Sequence, residues 1–259
     1  MLPILQKSLP QIVWTDPALS RLPGVLPLAG DAWLSVDDAF AGQMAERDRL
    51  IAAMPGVVHA MPEGARPAAE ELFARVLGKL RATDGYRVGA GTVLRPDGVE
   101  VALDPGAPLL TLGRLVQEDL CLMQRQGDAY VLGAAVLCFP ASWSLEEKLG
   151  RALLGIHATV AHYTDDLARR VQRMFEVIRV EQPLYRMNAL VYTDPALHQP
   201  KREGDPRLDR TEGQYLRSER QCFVRLPQTG AVLFAVHTYQ VLVRDLPPEV
   251  LAAMAGARL

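Results

Sequence analysis

The stretch 221-QCFVRLPQTGAVLFAVHTYQVLV-243 predicts a β-hairpin near the end of the chain. Apolar side chains dominate Gln221–Leu226 and return in Ala231–Val243, and both runs are rich in residues that favour strands. The tetrapeptide PQTG between them has the composition of a tight turn. The two runs are therefore expected to pair as antiparallel strands.

The second strand of this hairpin has two different faces, because successive side chains point to opposite sides of a sheet. The side chains Val232, Phe234, Val236 and Thr238 form an ordinary core face. The other face alternates small and large side chains and ends in two polar aromatic residues. Its members are Ala231, Leu233, Ala235, His237 and Tyr239. This alternation either makes room for a ligand or lets the face interdigitate with its neighbours.

The order of the remaining elements predicts the fold class. A second hairpin is expected from Arg114–Gln124 and Tyr130–Phe139, with Gly127 at the bend. Helices are expected over residues 39–54, Ala68–Arg81, Leu145–His157, Thr164–Arg179 and Pro248–Ala255. Strands follow strands here instead of alternating one by one with helices. The sequence therefore predicts an α+β fold with an antiparallel sheet.

The segment 147-EKLGRALLGIHATVAHY-163 carries a histidine at the edge of a predicted apolar helix face. Ser144 and Glu147 have the spacing of a capping box, which marks the start of a helix. A second such pair, Ser35 and Asp38, precedes the helix over residues 39–54. Gly150 leaves little bulk on the side where His157 lies. His157 is either a core histidine bonded to the backbone or a group that reaches a buried ligand.

Composition limits the class of protein. The chain has 259 residues, 49% of them hydrophobic, and a formal net charge of −2, which does not favour binding to nucleic acid or to an anionic membrane. The N-terminus is a poor signal peptide and the longest apolar run, Ala129–Phe139, is too short to span a bilayer. The cysteines Cys121, Cys138 and Cys222 are widely spaced and too few for an iron–sulfur cluster. A cytoplasmic protein with buried, structural cysteines is expected.

Two groups of charged residues are candidates for a site. Glu118 and Asp119 enter a predicted strand side by side, so at most one of them faces a pocket, where it could act as a base or hold an amine. Arg217, Glu219, Arg220 and Arg225 flank the first apolar strand of the last hairpin. Arginines at a pocket mouth bind carboxylates, but the same pattern also fits surface ion pairs on an edge strand. Phosphate-binding loops and hydrolase motifs do not occur in the sequence.

Several blocks occur in the order typical of the haem-dependent oxidative N-demethylases, and the chain resembles that family over about residues 22–245. The blocks are Trp33–Asp38, Gln117–Leu122, Cys138–Trp143, Glu147–Gly150, Ile156–Ala158, Arg186–Asn188, Ser218–Gln221 and Arg225–Tyr239. The chain departs from the family pattern after His157, where Thr159 and Ala161 fall in a stretch that has lost two prolines and a glycine. It departs again at Ala189, where the family has tryptophan.

The resemblance implies a PAS-like antiparallel β-sheet with flanking helices that binds haem b. It divides the chain into an N-terminal arm (1–21), a haem-binding domain (22–245) and a C-terminal helix and tail (246–259). The implied reaction is the O2-dependent demethylation of a small secondary amine. The electrons would come from a separate reductase, because the chain has no motif for a flavin or an iron–sulfur cluster. A homo-oligomer is left open.

The resemblance also implies roles for individual residues. His157 would be the axial ligand of the iron, with His237 as its rival. Propionates and the rest of the cofactor would be bound by Arg220, Arg225, Arg186, Lys148 and Tyr163. The substrate amine would face Glu118, Asp119 or Glu219. Two alternatives stay open: a haem-binding PAS-type sensor or gas-binding protein without turnover, and a haem-free module that keeps the fold for assembly.

Overall fold

The computed structural model of the chain describes residues 2–20, 24–153, 165–206 and 213–255. The strands are β1 (Leu26–Pro27), β2 (His59–Ala60), β3 (Arg87–Val88), β4 (Thr92–Leu94), β5 (Glu100–Ala102), β6 (Asp119–Gln126), β7 (Ala129–Val136), β8 (Leu184–Tyr192), β9 (Tyr215–Arg225) and β10 (Val232–Leu242). The α-helices are α1 (Pro17–Ser20), α2 (Phe40–Ala53), α3 (Pro55–Val58), α4 (Arg66–Leu80), α5 (Pro108–Gly113), α6 (Leu145–Lys148), α7 (Asp165–Val177) and α8 (Pro248–Ala255). Short 3-10 turns lie at Val13–Thr15, Glu63–Ala65 and Val243–Asp245.

A large antiparallel sheet organises the molecule. Within the described residues it has seven strands in the order β1-β8-β9-β10-β6-β7-β2, and β3, β4 and β5 form a separate small sheet. The predicted hairpin is its centre: β9 and β10 pair from Arg225 and Val232 at the turn to Tyr215 and Leu242. Gly230 has a φ of +70° in that turn, a conformation that glycine adopts without steric cost. The predicted α+β class is confirmed, while the boundaries at residues 21 and 245 stay predictions.

Strand β8 is the element that sequence patterning missed. It pairs with β9 from Leu184 and Phe223 to Tyr192 and Tyr215. Its residues alternate between polar and apolar only weakly, and its charged and amide side chains, Arg186 and Asn188, resemble those of a loop. Because those polar side chains are partly buried, β8 lacks the regular alternation of polar and apolar residues that is typical of a half-exposed strand.

The two faces of the large sheet carry different layers. The face that we call the α4 face packs against α4 and α5 through Leu122, Val224 and Leu233. The opposite face, the α7 face, packs against α7 and the segment around Leu145 through Cys121 and Phe223. At the far end of the α4 face, residues of the N-terminal arm and of α8 cover the sheet. Both faces are therefore buried against other parts of the chain.

The predicted helix over Leu145–His157 is interrupted at Leu149–Ala152, and its residues 154–157 lie outside the described residues. Helix α6 ends at Lys148, and Gly150 follows with a φ of +74°. The N–H of Gly150 donates to the carbonyl of Leu132 at 2.8 Å, and Ala152 forms a bridge with Val131. The chain thus runs along β7, because an αL glycine ends a helix and the strand offers unpaired backbone groups.

The two predicted capping boxes also differ from expectation. Ser144 Oγ donates to Glu147 Oε2 at 3.1 Å, but it accepts no hydrogen bond from a backbone N–H of the first turn of α6. Helix α2 begins at Phe40 with no side-chain cap, so the Ser35 and Asp38 box is wrong. The Ser35 N–H donates to Glu118 instead, at 2.8 Å. Short-range spacing was overridden here by a buried carboxylate.

Candidate functional site

Strands β8 and β9 bring a set of polar side chains together on the α7 face. Residues that are paired across two strands point to the same side, and so do alternate residues of one strand. Phe223 lies in the apolar cluster beside α7. Gln221 and Glu219 therefore lie on that same face, with their register partners Arg186 and Asn188. The face changes from apolar to polar along β9.

Glu219 is the centre of this polar set. Its Oε2 accepts hydrogen bonds from Asn188 Nδ2 at 3.2 Å and from Gln221 Nε2 at 3.0 Å. Its Oε1 accepts from Arg217 Nη2 at 3.1 Å. Glu219 is buried, at 7% exposure. Three donors, one of them the ion-pair partner Arg217, thus occupy both carboxylate oxygens, which leaves Glu219 little capacity for a further cation.

The two arginines beside Glu219 differ in their partners. Arg217 is 1% exposed, and its guanidinium donates to the carbonyls of Leu197 and Phe139 as well as to Glu219. Arg186 is partly buried, and in the described part of the chain its buried Nε has no hydrogen-bond partner. Burial lowers the pKa of Arg186, and the negative charge of Glu219 only partly counteracts this. A guanidinium with a buried N–H that lacks an acceptor is suited to bind an anionic group.

A second polar cluster lies on the α4 face around His237. Its Nδ1 is 2.9 Å from Glu118 Oε1, and its Nε2 is 3.0 Å from Asp37 Oδ2. Asp37 also accepts a hydrogen bond from Gln6 of the N-terminal arm. Burial alone would lower the pKa of His237, but the charges and hydrogen bonds of Glu118 and Asp37 raise it overall. His237 is thus an imidazolium between two carboxylates, and neither ring nitrogen has a free lone pair in this arrangement.

The interaction with His237 also shifts the pKa of Asp37. Burial tends to raise its pKa, but the hydrogen bonds and charge of His237 outweigh this and lower the pKa to about 2. Arg220 completes the cluster, since its Nη2 donates to Ser35 Oγ at 2.5 Å and lies 4.0 Å from Glu118. The positive and negative charges of this cluster balance. It ties the N-terminal arm and the segment before α2 to strand β10.

Asp119, the neighbour of Glu118, belongs to a separate buried ion pair. Its Oδ1 lies 2.8 Å from Arg47 Nη1, and both side chains are at most 1% exposed. The carboxylate also accepts backbone hydrogen bonds from Cys138 and Phe139. Arg47 in turn donates to the carbonyl of Gly113 at 2.9 Å. This geometry joins α2 to the start of β6 and leaves no open side on Asp119.

The other predicted anchors are used within the protein. Arg225 donates to the carbonyls of Ile178 at 2.7 Å and Gly230 at 2.8 Å, so it fastens the end of α7 to the β9–β10 turn. Lys148 forms an ion pair with Glu203 at 2.6 Å. The predicted cofactor arginines are also divided between faces, with Arg220 on the α4 face and Arg186 on the α7 face.

His157 and Tyr163 lie outside the described residues, as do Thr159 and Ala161. The chain on either side is described, however. Leu153 before the gap and Phe175 after it are both buried in the apolar cluster of the α7 face. Described residues that precede and follow this part of the chain thus pack on the face that carries Arg186.

Ala189 can be placed against this arrangement. It is buried and packs with Met187, Leu216 and Tyr239 in the cluster beneath the N-terminal arm. Ala189 alternates with Asn188 along β8, so its side chain lies on the opposite face of the sheet from Arg186. The departure from the family pattern at Ala189 therefore does not alter the polar set on the α7 face.

Sequence reasoning missed three residues that organise these clusters: Asp37, Arg47 and Gln221. Arg47 did carry a signal, because it falls between Met44 and Leu50 on the apolar side of α2. A charged residue at such a position needs a buried partner. Gln221 and Asp37 carried no comparable signal, because their roles depend on neighbours from distant parts of the chain.

Comparison with known families agrees with the resemblance seen in the sequence. The model of a family described as haem-dependent oxidative N-demethylase, alpha subunit-like, matches residues 24–257. This chain belongs to that family. The description says that the family depends on haem. It also compares the family to an alpha subunit, which indicates a multi-subunit enzyme.

Over residues 2–20, 24–153, 165–206 and 213–255, no helix is both long enough and apolar enough to cross a membrane. Within the same ranges, no group of three or more His, Cys, Asp or Glu side chains is arranged to hold a metal ion. The three cysteines are buried and unpaired thiols.

Proposed function

We propose that this chain is the haem-binding catalytic subunit of an oxidative N-demethylase and that haem b binds on the α7 face. The observation that carries the proposal is Arg186, whose buried Nε has no partner in the described residues. A haem propionate has the charge and the acceptor oxygens that this group lacks. The polar residues of this face therefore fit the charge of the group.

His157 is proposed to hold the haem iron. The support for this role is the family match, together with Leu153 and Phe175, which precede and follow it in the chain and pack on the α7 face. His237 is a weaker candidate, since Glu118 and Asp37 occupy both of its ring nitrogens. Tyr163 is proposed to border the cofactor from the same segment as His157.

Bound haem iron would supply the activation of O2, with electrons from a separate reductase and a small secondary amine as substrate. The chain itself would bind and orient the cofactor through Arg186. Among the predicted amine-facing carboxylates, Glu219 is the one whose charge acts on Arg186. Because Glu219 already accepts from three donors, its proposed role is to shape the polar rim. We further propose a cytoplasmic location, which agrees with three unpaired cysteines.

The test is haem uptake by the purified protein. Stoichiometric hemin should give a Soret band in the wild type, and Arg186→Met should release haem to apomyoglobin about 10-fold faster, as expected for one lost charge-assisted hydrogen bond. Arg202→Met is the matched control, because Arg202 is exposed and pairs only with surface groups. His157→Ala should change the position and shape of the Soret band. A wild-type protein that takes up no haem would refute the proposal.

A second candidate is a haem-binding sensor without turnover. It is favoured by one observation, namely that Glu118, Asp119 and Glu219 are all engaged in buried hydrogen bonds or ion pairs. A carboxylate in that condition is poorly suited to accept a proton from a substrate. Steady release of formaldehyde from dimethylamine, with a supplied reductase, would exclude the sensor. Gas binding without formaldehyde would support it.

A further inference from the structure

The polar set on the α7 face has two arginines, Arg217 and Arg186, but they share one carboxylate, that of Glu219. Arg217 and Arg186 both lie near Glu219, and the charge of Glu219 is felt at Arg186. Only Arg217 forms the ion pair, at 3.1 Å. Leaving the buried Nε–H of Arg186 without an acceptor is costly, so a neighbouring carboxylate would normally rotate toward it. Something must hold Glu219 away from Arg186.

The side chains that hold Glu219 are Gln221 and Asn188. Each donates an amide N–H to Oε2, at 3.0 Å and 3.2 Å, while Arg217 takes Oε1. A carboxylate fixed by donors on both oxygens cannot turn without breaking at least one of these bonds. Gln221 is also the register partner of Arg186, so the residue that holds Glu219 lies directly across the strand pair from Arg186.

We infer that Gln221 and Asn188 are positioning residues that fix Glu219 on Arg217 and so keep Arg186 free for one acidic group of the ligand. The charges agree with a single acidic group, because two arginines and one glutamate leave one positive charge. The inference rests on the proposed function only for the identity of that group as a haem propionate. The second propionate of haem would have to bind outside this set of residues.

The first test is Gln221→Met, which keeps the size of the side chain and removes its donor. Glu219 should then pair with Arg186, and haem should dissociate about 5-fold to 10-fold faster, as for the loss of one charge-assisted bond. Gln124→Met is the matched control, because Gln124 lies on β6 and its amide contacts Gly64 rather than Glu219. Its rate should equal that of the wild type.

Rescue separates positioning from a general structural role. In the double variant Gln221→Met with Glu219→Gln, the competing charge is gone, and the haem dissociation rate should return to within about 2-fold of the wild type. If Gln221 only stabilised the fold, a second buried substitution would make retention worse. An unchanged rate in Gln221→Met, or no rescue by Glu219→Gln, would overturn the inference.

A probe without haem distinguishes the two proposals. Inorganic phosphate should raise the melting temperature of the haem-free wild type, and this shift should be lost in both Arg186→Met and Gln221→Met. If phosphate stabilises the protein in this pattern but haem never binds, Arg186 is still kept free for an acidic group, and the haem proposal is wrong. If haem binds and Gln221→Met releases it no faster, only the positioning role falls. If neither haem nor phosphate binds, both fail.

Discussion

Nδ1 of His237 lies 2.9 Å from Oε1 of Glu118, and both side chains are about as buried as any in the protein. The second ring nitrogen contacts Asp37 at 3.0 Å. Removing the imidazolium with His237→Phe would leave two carboxylates facing each other in the interior. We expect a loss of about 3–5 kcal/mol in the free energy of unfolding, the range for breaking a buried ion pair. Urea denaturation measures it.

The control for this variant is His59→Gln. His59 is partly buried, and in the described residues its Nε2 has no partner. Its substitution should therefore cost less than about 1 kcal/mol. Equal losses in the two variants would show that the carboxylates around His237 add nothing specific.

The His237 cluster should also shape the dependence of stability on pH. The pKa of His237 is raised in the folded state, so its contribution is complete below 6.5, its unfolded value, and is lost as pH rises through the folded pKa. The pKa of Asp37 is lowered to about 2, so its contribution is present above 3.8 and is lost as pH falls toward 2. Unfolding free energies measured across this range should therefore fall at both ends.

The alkaline part of that profile belongs to His237 alone among these groups. The variant His237→Gln should flatten the decline above neutral pH while leaving the acid limb in place. A wild-type profile that stays level between pH 7 and 10 would contradict the buried imidazolium.

The ion pair between Asp119 and Arg47 predicts a structural effect where the sequence predicted a catalytic one. Asp119→Asn keeps the shape but removes the charge opposite a guanidinium that is fully buried. The expected loss is about 3–5 kcal/mol of stability. The exposed pair of Arg202 and Glu146 is the comparison, and Arg202→Ala should cost at most about 1 kcal/mol. A folded, fully stable Asp119→Asn variant would reopen a role in chemistry.

Gly150 predicts a cost that comes from the backbone alone. Its φ of +74° is unfavourable for other residues, yet a Cβ built there meets no atom within 4 Å. Gly150→Ala should therefore lose about 1–2 kcal/mol through the left-handed conformation. Gly78 in α4 also has open space but an ordinary φ, so Gly78→Ala should gain about 0.5–1 kcal/mol. Thermal denaturation of the pair isolates the conformational term.

The β-hairpins could be predicted because their signals are local. Alternating apolar residues and a turn defined β9 and β10, and the same signals placed β6 and β7. The predicted helix over Leu145–His157 is interrupted after Lys148, because its apolar spacing gives no sign of the competing strand edge at Leu132. Strand β8 was not predicted, because the sequence alone does not reveal the partners of its polar residues Arg186 and Asn188.

The candidate site was also predictable only in part. The sequence could nominate Arg186, Glu219 and His237 as residue types suited to a site. It could not tell which carboxylates were already neutralised, because Arg47 and Asp37 reach their partners from other elements. It also could not assign Arg220 and Arg186 to opposite faces without the register of β8 and β9. Pairing across the fold, and not residue type, decides which charges remain free for a ligand.

The face of the sheet that binds haem can be tested with Ala189→Trp, which restores the residue type of the family pattern. Ala189 is 6% exposed and packs beneath the N-terminal arm, so the larger ring should overpack that cluster and cost about 1–3 kcal/mol. Because it lies on the opposite face from Arg186, haem retention should not change. Arg186→Met should behave in the reverse way, losing haem faster with little loss of stability. If Ala189→Trp instead removed the Soret band while the protein stayed folded, the cofactor would have to lie on the α4 face, beside His237.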